Sequence, residues 1–322
     1  MAKYCIGIDL GGTYTKFALL DRASVIVGEN QVPTPAEKGA DAVVEAMAAG
    51  AEQLLAKSGV GKDDIVGVGI GSPGPLDLAN GVVLAMPNIP GFKNFPLRDR
   101  LAERLGLRAV LENDANAAAL GEFLCGSGRG CRDMVLLTLG TGVGGGIVID
   151  GRLLHGAHGI GGEPGHMIVV PEGEPCGCGQ RGCLERYASA TFLAQLARRA
   201  IENAGRQSLL ADALARKGDI DAADVNAARH AGDALAGEIW DQATYYLAIA
   251  CVGLCRLLDP DLIVFGGGMA NAGKDLLEPL QRHFAAQHWT ITPPKTRLAL
   301  AKLGNKAGVI GAAATAWEAF GE

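Results

Sequence analysis

The sequence predicts an α/β protein built from two similar halves with a cleft between them. Strand-like apolar runs alternate with amphipathic helices along 322 residues, a length that accommodates two domains. Glycine is abundant at 47 residues while aromatics are only 5%, which suits tight loops at strand ends better than a β-sandwich. The halves also echo each other: Asp9-Leu-Gly-Gly-Thr13 and Leu139-Gly-Thr-Gly142 each follow a first strand and precede a returning one. This is an echo of fold pattern, not a sequence repeat. The expected domains are 1–118, completed by a C-terminal helix over 308–322, and 119–307. Clefts between such domains are preferred ligand sites.

Each element has a local signal. Residues 4–10 read as a strand, Gly11-Gly12-Thr13 as a turn, and 15–20 and 24–31 as returning strands. Val43, Val44, Met47, Leu54 and Leu55 share one face of a helix over 39–57. A buried strand over 65–71 stops at Ser72-Pro73-Gly74-Pro75. A helix over 97–105, a strand over 108–112 and an Ala-rich helix over 114–125 follow. The second half opens with a strand over 133–139, a glycine loop over 140–146 and a strand over 147–153. Helices are expected at 189–204, 208–216, 221–229 and 233–257. The buried strand 261–265 then ends in Gly266-Gly267-Gly268, followed by a helix over 273–288, a strand over 296–300 and a helix over 308–320.

Hydrophobic residues make up 48% of the chain and charged residues 20%, a globular balance. The net charge of −6 gives no global attraction to nucleic acid or an anionic membrane. No signal peptide is visible and no apolar run is long enough to span a bilayer. Of eight cysteines, three cluster at 176–183. Cys5, Cys125, Cys131, Cys251 and Cys255 read as ordinary thiols, the last two packing on one helix face. Reducing cytoplasm is the expected compartment.

The densest chemistry lies in Glu163-Pro-Gly-His166 and in Cys176-Gly-Cys178-Gly-Gln-Arg-Gly-Cys183-Leu-Glu185. One imidazole and three thiols within eighteen residues suit a tetrahedral zinc site of His166, Cys176, Cys178 and Cys183. Glu163 and Glu185 are not needed to complete it, so they are free to face a ligand. With zinc on one ring nitrogen, His166 can meet a hydroxyl through the other. A purely structural zinc knuckle, or a disulfide with one thiol left over, are the alternatives.

Asp9-Leu-Gly11-Gly12-Thr13 lacks the Walker spacing and is not followed by a helix. Its exposed N–H groups and the Thr13 hydroxyl can still take a phosphate, and Asp9 can hold magnesium through water. Taken alone, it reads equally as a hairpin turn. Gly140-Thr141-Gly142 and Gly266-Gly267-Gly268 repeat the arrangement, the last suited to adenosine or its phosphates. Glu112-Asn113-Asp114-Ala115-Asn116 joins a strand to a helix: Asn113 suits a helix cap, and Asp114 a base that takes a proton from a hydroxyl. Glu185 near a helix start also reads as favourable charge at that terminus.

Together these motifs resemble the ROK family (repressor, open reading frame, kinase) of sugar kinases across nearly the whole chain. The matching segments are Gly7-Ile-Asp-Leu-Gly-Gly-Thr13, Gly69-Ile-Gly-Ser-Pro-Gly74, Glu112-Asn-Asp-Ala-Asn116, Leu139 through Gly146, and Gly162-Glu-Pro-Gly-His166, with the cysteine run at 176–185 the most specific. The resemblance implies a two-domain actin/hexokinase-like (ribonuclease H-like) fold, dimeric or tetrameric. It implies Asp114 as catalytic base, and Asn113, Glu163, His166 and Glu185 as sugar contacts. His166 and the three cysteines match zinc ligands, and the first two glycine loops match ATP-phosphate sites. The expected reaction is ATP- and magnesium-dependent phosphorylation of the 6-hydroxyl of glucose. N-acetylglucosamine, N-acetylmannosamine, fructose, mannose or a β-glucoside are alternative acceptors, and ADP or polyphosphate alternative donors.

Two positions depart from the family pattern. Tyr14 stands where many members have lysine after Gly-Gly-Thr, leaving Lys16 the nearest, and Pro164 stands where Ile or Leu is commoner. Pro75, Asn88 and their neighbours are candidates for the pocket wall, Asn88 reading equally as a turn residue. A repressor of the same family would need a helix-turn-helix segment before the first glycine loop, for which the first strand at residue 4 leaves no room. A sugar-binding module without turnover would need neither Asp114 nor phosphate loops.

Overall fold

The computed structural model describes residues 3–86, 89–287, 289–293 and 295–321; Asn88 lies outside them. The chain opens with an antiparallel meander of β1 (Tyr4–Leu10), β2 (Tyr14–Asp21) and β3 (Ile26–Pro33). Helix α1 (Ala40–Ser58) crosses to β4 (Ile65–Ser72), which is parallel to β1 and buried at every residue. A parallel strand covered on both faces reads as this kind of continuous apolar and glycine run. A small antiparallel sheet of β5 (Leu76–Asp77), β6 (Val82–Ala85) and β7 (Lys93–Phe95) follows, with no counterpart in the sequence reading. Helix α2 (Leu97–Leu105) leads to β8 (Ala109–Asn113) and α3 (Asp114–Cys125), giving the first main sheet the order β3-β2-β1-β4-β8.

The second half repeats the pattern. Strands β9 (Met134–Leu139), β10 (Val143–Ile149) and β11 (Arg152–Leu153) form the meander. Helices α4 (Glu185–Ala188), α5 (Ala190–Glu202), α6 (Leu210–Lys217), α7 (Ala222–His230) and α8 (Ala234–Leu258) intervene before β12 (Leu262–Gly266). Helix α9 (Lys274–Gln287), β13 (Arg297–Leu300) and α10 (Ala307–Phe320) complete the chain. The second sheet runs β11-β10-β9-β12-β13, the same succession of an antiparallel meander and two parallel strands.

Side-chain alternation assigns the two faces of the first sheet. Ile6, Ile8, Leu10, Phe17 and Leu19 pack with the apolar stripes of α1 and α2. Cys5, Ala18, Leu20 and Val66 pack instead with Val309, Ile310 and Ala313 of α10. The last helix therefore covers a sheet made by the first residues. Gly7 and Gly69, register partners in β1 and β4, let it lie close: a Cβ would sit 2.0 Å from the Val309 carbonyl oxygen at Gly7 and 1.6 Å from that of Ala312 at Gly69. In the second half the core gathers around Trp240, Leu247, Ile263 and Phe265.

One expectation needs correction. The expected strand 147–153 is instead a tight hairpin, the end of β10 and β11 joined through Asp150-Gly151, and the glycine loop ends at Gly142: β10 runs straight through Gly144-Gly145-Gly146 rather than starting at 147. The reason is tertiary: a Cβ on Gly146 would stand 2.6 Å from Ala119 of α3, and one on Gly145 would stand 2.4 Å from the Pro164 ring. Glycine in a strand interior marks such close approach. Elsewhere the element ends differ from expectation by up to about three residues, as helix ends commonly do. Among the described residues no helix is long and apolar enough to cross a membrane.

Candidate functional site

The ends of the central strands of both sheets meet at a cavity of about 1030 Å³. The first half contributes Asp9, Lys16, Asn113 and Asp114; the second contributes the turn 140–144, Glu163, His166, Glu185 and Gly267. Asn305, in the turn before α10, and Gly308, in its first turn, also line it. Residues far apart in sequence thus converge on one space.

The strand-to-helix junction at β8 is set by its own side chains. Asn113 has extended backbone and caps α3, its Oδ1 accepting the N–H of Ala115 at 2.9 Å and of Asn116 at 3.1 Å. Satisfying these otherwise unpaired donors starts the helix. Asp114 then sits in the first turn, its Oδ1 accepting the Ala115 N–H at 2.8 Å. Burial raises its carboxyl pKa above the ordinary value, while the Ala115 N–H opposes this. Capping by Asn113 and presentation of Asp114 to the cavity therefore coexist.

Glu185 opens α4, and its Oε2 accepts the Val143 N–H at 3.1 Å, tying the helix to the β9–β10 turn. Burial also pushes Glu163 up; His166 lowers it, and the charges of Asp114 and Glu185 raise it further. Three carboxylates, an imidazole and a side-chain amide thus face the same part of the cavity, a lining matched to a ligand rich in hydroxyls.

His166, Cys176, Cys178 and Cys183 place one ligand atom each within 4.8 Å of one another. The Sγ atoms of Cys178 and Cys183 are 3.6 Å apart, and Cys176 Sγ is 3.7 Å from His166 Nδ1. A tetrahedron with Zn–S arms of about 2.3 Å has edges of about 3.8 Å, so the donor set and its spacing fit zinc. Glycine shapes the knuckle: Gly182 has φ +80°, and a Cβ there would lie 1.7 Å from the Val170 carbonyl oxygen. All eight cysteines are free thiols in this structure, with the Cys178 and Cys183 sulfurs at ligand spacing rather than bonding distance. With Nδ1 turned to the thiols, the Nε2 side of His166 is left for the cavity.

On the opposite wall, Asp9 and Lys16 are register partners across β1 and β2, with Nζ and carboxylate 3.9 Å apart. Burial raises the Asp9 pKa, Lys16 lowers it and Asp114 adds to the rise. Lys16 also donates to the Asn305 carbonyl oxygen at 3.5 Å. Thus the lysine two positions beyond Tyr14 does face the cavity. Gly11, Gly12 and Thr13 form the β1–β2 turn beside this wall but are not among the lining residues. Thr34 steadies that turn by donating its hydroxyl to the Gly11 carbonyl oxygen at 2.8 Å. Gly140, Thr141, Gly142 and Gly267 all line the cavity. Gly267 has φ +82° and lies against Leu139, where a Cβ would come within 2.5 Å of the carbonyl oxygen.

Sequence reasoning missed Thr138, Asn271, Asn305 and Gly308. Gly308 is the most telling: a Cβ there would stand 3.1 Å from the Asp9 carboxylate. Gly304 beside Asn305 and Gly308 three residues on gain their meaning only where α10 meets β1.

Two sheets of matching order closing on one polar cleft define the actin/hexokinase-like fold. Comparison with known proteins gives the narrower class. The sequence model of the ROK family matches residues 5–319, and the chain belongs to that family. It is 41% identical to a glucokinase of Halalkalibacterium halodurans over 96% of this chain and 93% of the relative. The crystal structure of a ROK hexokinase from Thermus thermophilus superposes with TM-score 0.82 at 38% identity, covering 98% of both chains. A ROK family glucokinase from Streptomyces griseus, in complex with glucose and AMPPNP, gives TM-score 0.79 at 35% identity, covering 98% of this chain and 99% of that one.

Proposed function

We propose that this chain is an ATP-dependent glucokinase, transferring the γ-phosphoryl group of ATP to the 6-hydroxyl of glucose. The observation that carries this is Asp114: a carboxylate at a capped helix start, facing a cleft with carboxylates and imidazole on one side and glycine turns on the other. The similarity to glucokinases supports glucose as acceptor. Asn113, Glu163, His166 Nε2 and Glu185 hold the sugar hydroxyls. Asp114 accepts the 6-hydroxyl proton as that oxygen bonds to the γ-phosphorus. The bond from γ-phosphorus to the bridging oxygen breaks, and ADP leaves. Gly11, Gly12, Thr13 and the Gly140–Gly142 turn hold phosphates through N–H groups, while Gly267 and its neighbours border the nucleoside. Asp9 is the carboxylate suited to a hydrated magnesium, which supplies charge neutralisation when bound.

His166, Cys176, Cys178 and Cys183 would hold zinc with no open position, so the metal orders the sugar loop and does no chemistry. We read the domains as 1–118 with 308–322, and 119–307. The working form is a cytoplasmic homodimer or homotetramer without nucleic-acid or membrane partners.

The test is a coupled ADP-release assay with ATP and magnesium against glucose, mannose, fructose, N-acetylglucosamine, N-acetylmannosamine and β-glucosides. Preference for glucose with kcat/KM of about 10⁴ M⁻¹s⁻¹ or more is expected. Another preferred acceptor would overturn glucose, and no turnover with any acceptor would overturn ATP as the donor. Gly142→Ala probes the acceptor wall: its Cβ would fall 2.2 Å from Glu185 Oε2 and displace that carboxylate. The glucose KM should rise about tenfold, the loss of one charged hydrogen bond. An unchanged KM would remove Glu185 from the sugar contacts.

A further inference from the structure

His155 and Glu112 belong to neither the donor wall nor the metal cluster, yet they join the two segments that form the acceptor site. His155 Nε2 donates to Glu112 Oε2 at 2.7 Å. Glu112 ends β8 immediately before Asn113 and Asp114; His155 lies in the loop between β11 and Glu163. The Glu112 side chain is only 6% exposed, against 38% for His155.

The second carboxylate oxygen works on the base-bearing side. Glu112 Oε1 accepts the Asn113 N–H at 2.8 Å and the Asn116 side-chain amide at 2.9 Å. It thus fixes the residue before Asp114 and one in the first turn of α3. Asn116 in turn faces the other segment: a Cβ built on Gly162 would come within 3.7 Å of its Oδ1. The His155 carbonyl oxygen accepts the Gly161 N–H at 2.9 Å, closing the loop two residues before Glu163. One buried carboxylate therefore reaches both sides of the acceptor site: directly to Asn113, and through His155 and Asn116 to the residues leading into Glu163.

We propose that the His155–Glu112 pair is a positioning clasp that holds the Glu163 loop against the Asn113–Asp114 junction and thereby sets sugar affinity. This rests on the sugar-kinase reading above. Neither residue touches the sugar; both act through the backbone they hold. Loosening the clasp separates Glu163 from Asn113 and Asp114, so the effect falls on sugar KM more than on the nucleotide.

The clasp is also sensitive to pH. The hydrogen bond to Glu112 raises the His155 pKa above its ordinary 6.5; burial opposes, and the charges of Glu112 and Glu318 add to the rise. Glu318 of α10 is itself pushed up, by burial and then by Glu112, with His155 and Arg152 opposing. The charged clasp is present in full below pH 6.5 and is lost as pH rises through the elevated value. Sugar KM should therefore rise toward alkaline pH.

The experiment measures sugar and ATP KM from pH 6 to 9.5 in the full-length protein and in His155→Ala and His155→Gln, with the imidazole followed by NMR. His155→Ala should raise sugar KM about tenfold near neutral pH, with kcat and ATP KM within about threefold. Glutamine, which can still donate to Glu112, should recover most of that affinity but lose the alkaline rise. The resonance absent from His155→Gln should titrate above 6.5 in the wild type and shift down in Glu112→Gln. Titration at or below the ordinary value, or an unaltered pH profile of sugar KM in both His155 variants, overturns the clasp while leaving the kinase reading intact. A well-folded wild type that phosphorylates no sugar overturns the kinase reading, and the clasp's role with it.

Discussion

Asp114→Asn should lower kcat by about 10³-fold, within the range expected for loss of a general base, while leaving glucose binding largely in place. Asparagine keeps an oxygen for the Ala115 N–H, so the start of α3 should survive. Stability should move in the opposite direction to activity. The native Asp114 pKa is raised by burial, so its ionised form is disfavoured in the fold. That cost is absent below the unfolded pKa and appears as pH rises above it. At pH 7 the variant's Tm should therefore equal or exceed the wild type's. For the wild type, the acid limb of kcat/KM should lie above the ordinary carboxylate value of 3.8. Substantial residual kcat in a folded variant would remove Asp114 from its role as base.

Cys178→Ser should have the second largest effect, through the metal. Cys178 is exposed, and the backbone N–H of Gln180 leads the interactions that lower its thiol pKa. Burial instead pushes Cys183 up to about 12, so a cation is needed to keep that sulfur ionised at neutral pH. Replacing one thiolate by a hydroxyl should empty the site, with bound zinc falling from about one per chain toward zero by elemental analysis. His166 and Glu185 would then lose their common anchor, since Cys176 Sγ stands 3.7 Å from His166 Nδ1 and 3.8 Å from Glu185 Oε1. Glucose KM should rise about 10- to 100-fold with ATP KM little changed. Full zinc occupancy in Cys178→Ser, or its absence from carefully purified wild type, would refute the assignment.

The acceptor half was legible because its signals are local. A capping Asn beside Asp at a strand end, or three cysteines spaced by glycines, describe short-range geometry that survives in any fold able to hold them. Asn305 and Gly308 carry no such signal: they reach Asp9 and Lys16 from the far end of the chain, and only packing of α10 reveals them. The glycines at 144–146 were misread for a related reason, since close approach by Ala119 and Pro164 is invisible in a local window. His155 carries no local signal either: its ring meets a buried carboxylate 43 positions away in the sequence.

The placement of α10 has a consequence for synthesis. The strands of the first sheet are all made by Asn113, but the helix that covers Cys5, Ala18, Leu20 and Val66 begins only at Ala307. While the intervening residues are made, that apolar face waits without its cover, and it cannot be completed until α10 has emerged from the ribosome. A nonsense or frameshift lesion near residue 305 would spare both main sheets yet strand the nascent protein with an open face, and its fate would be aggregation or proteolysis rather than reduced catalysis.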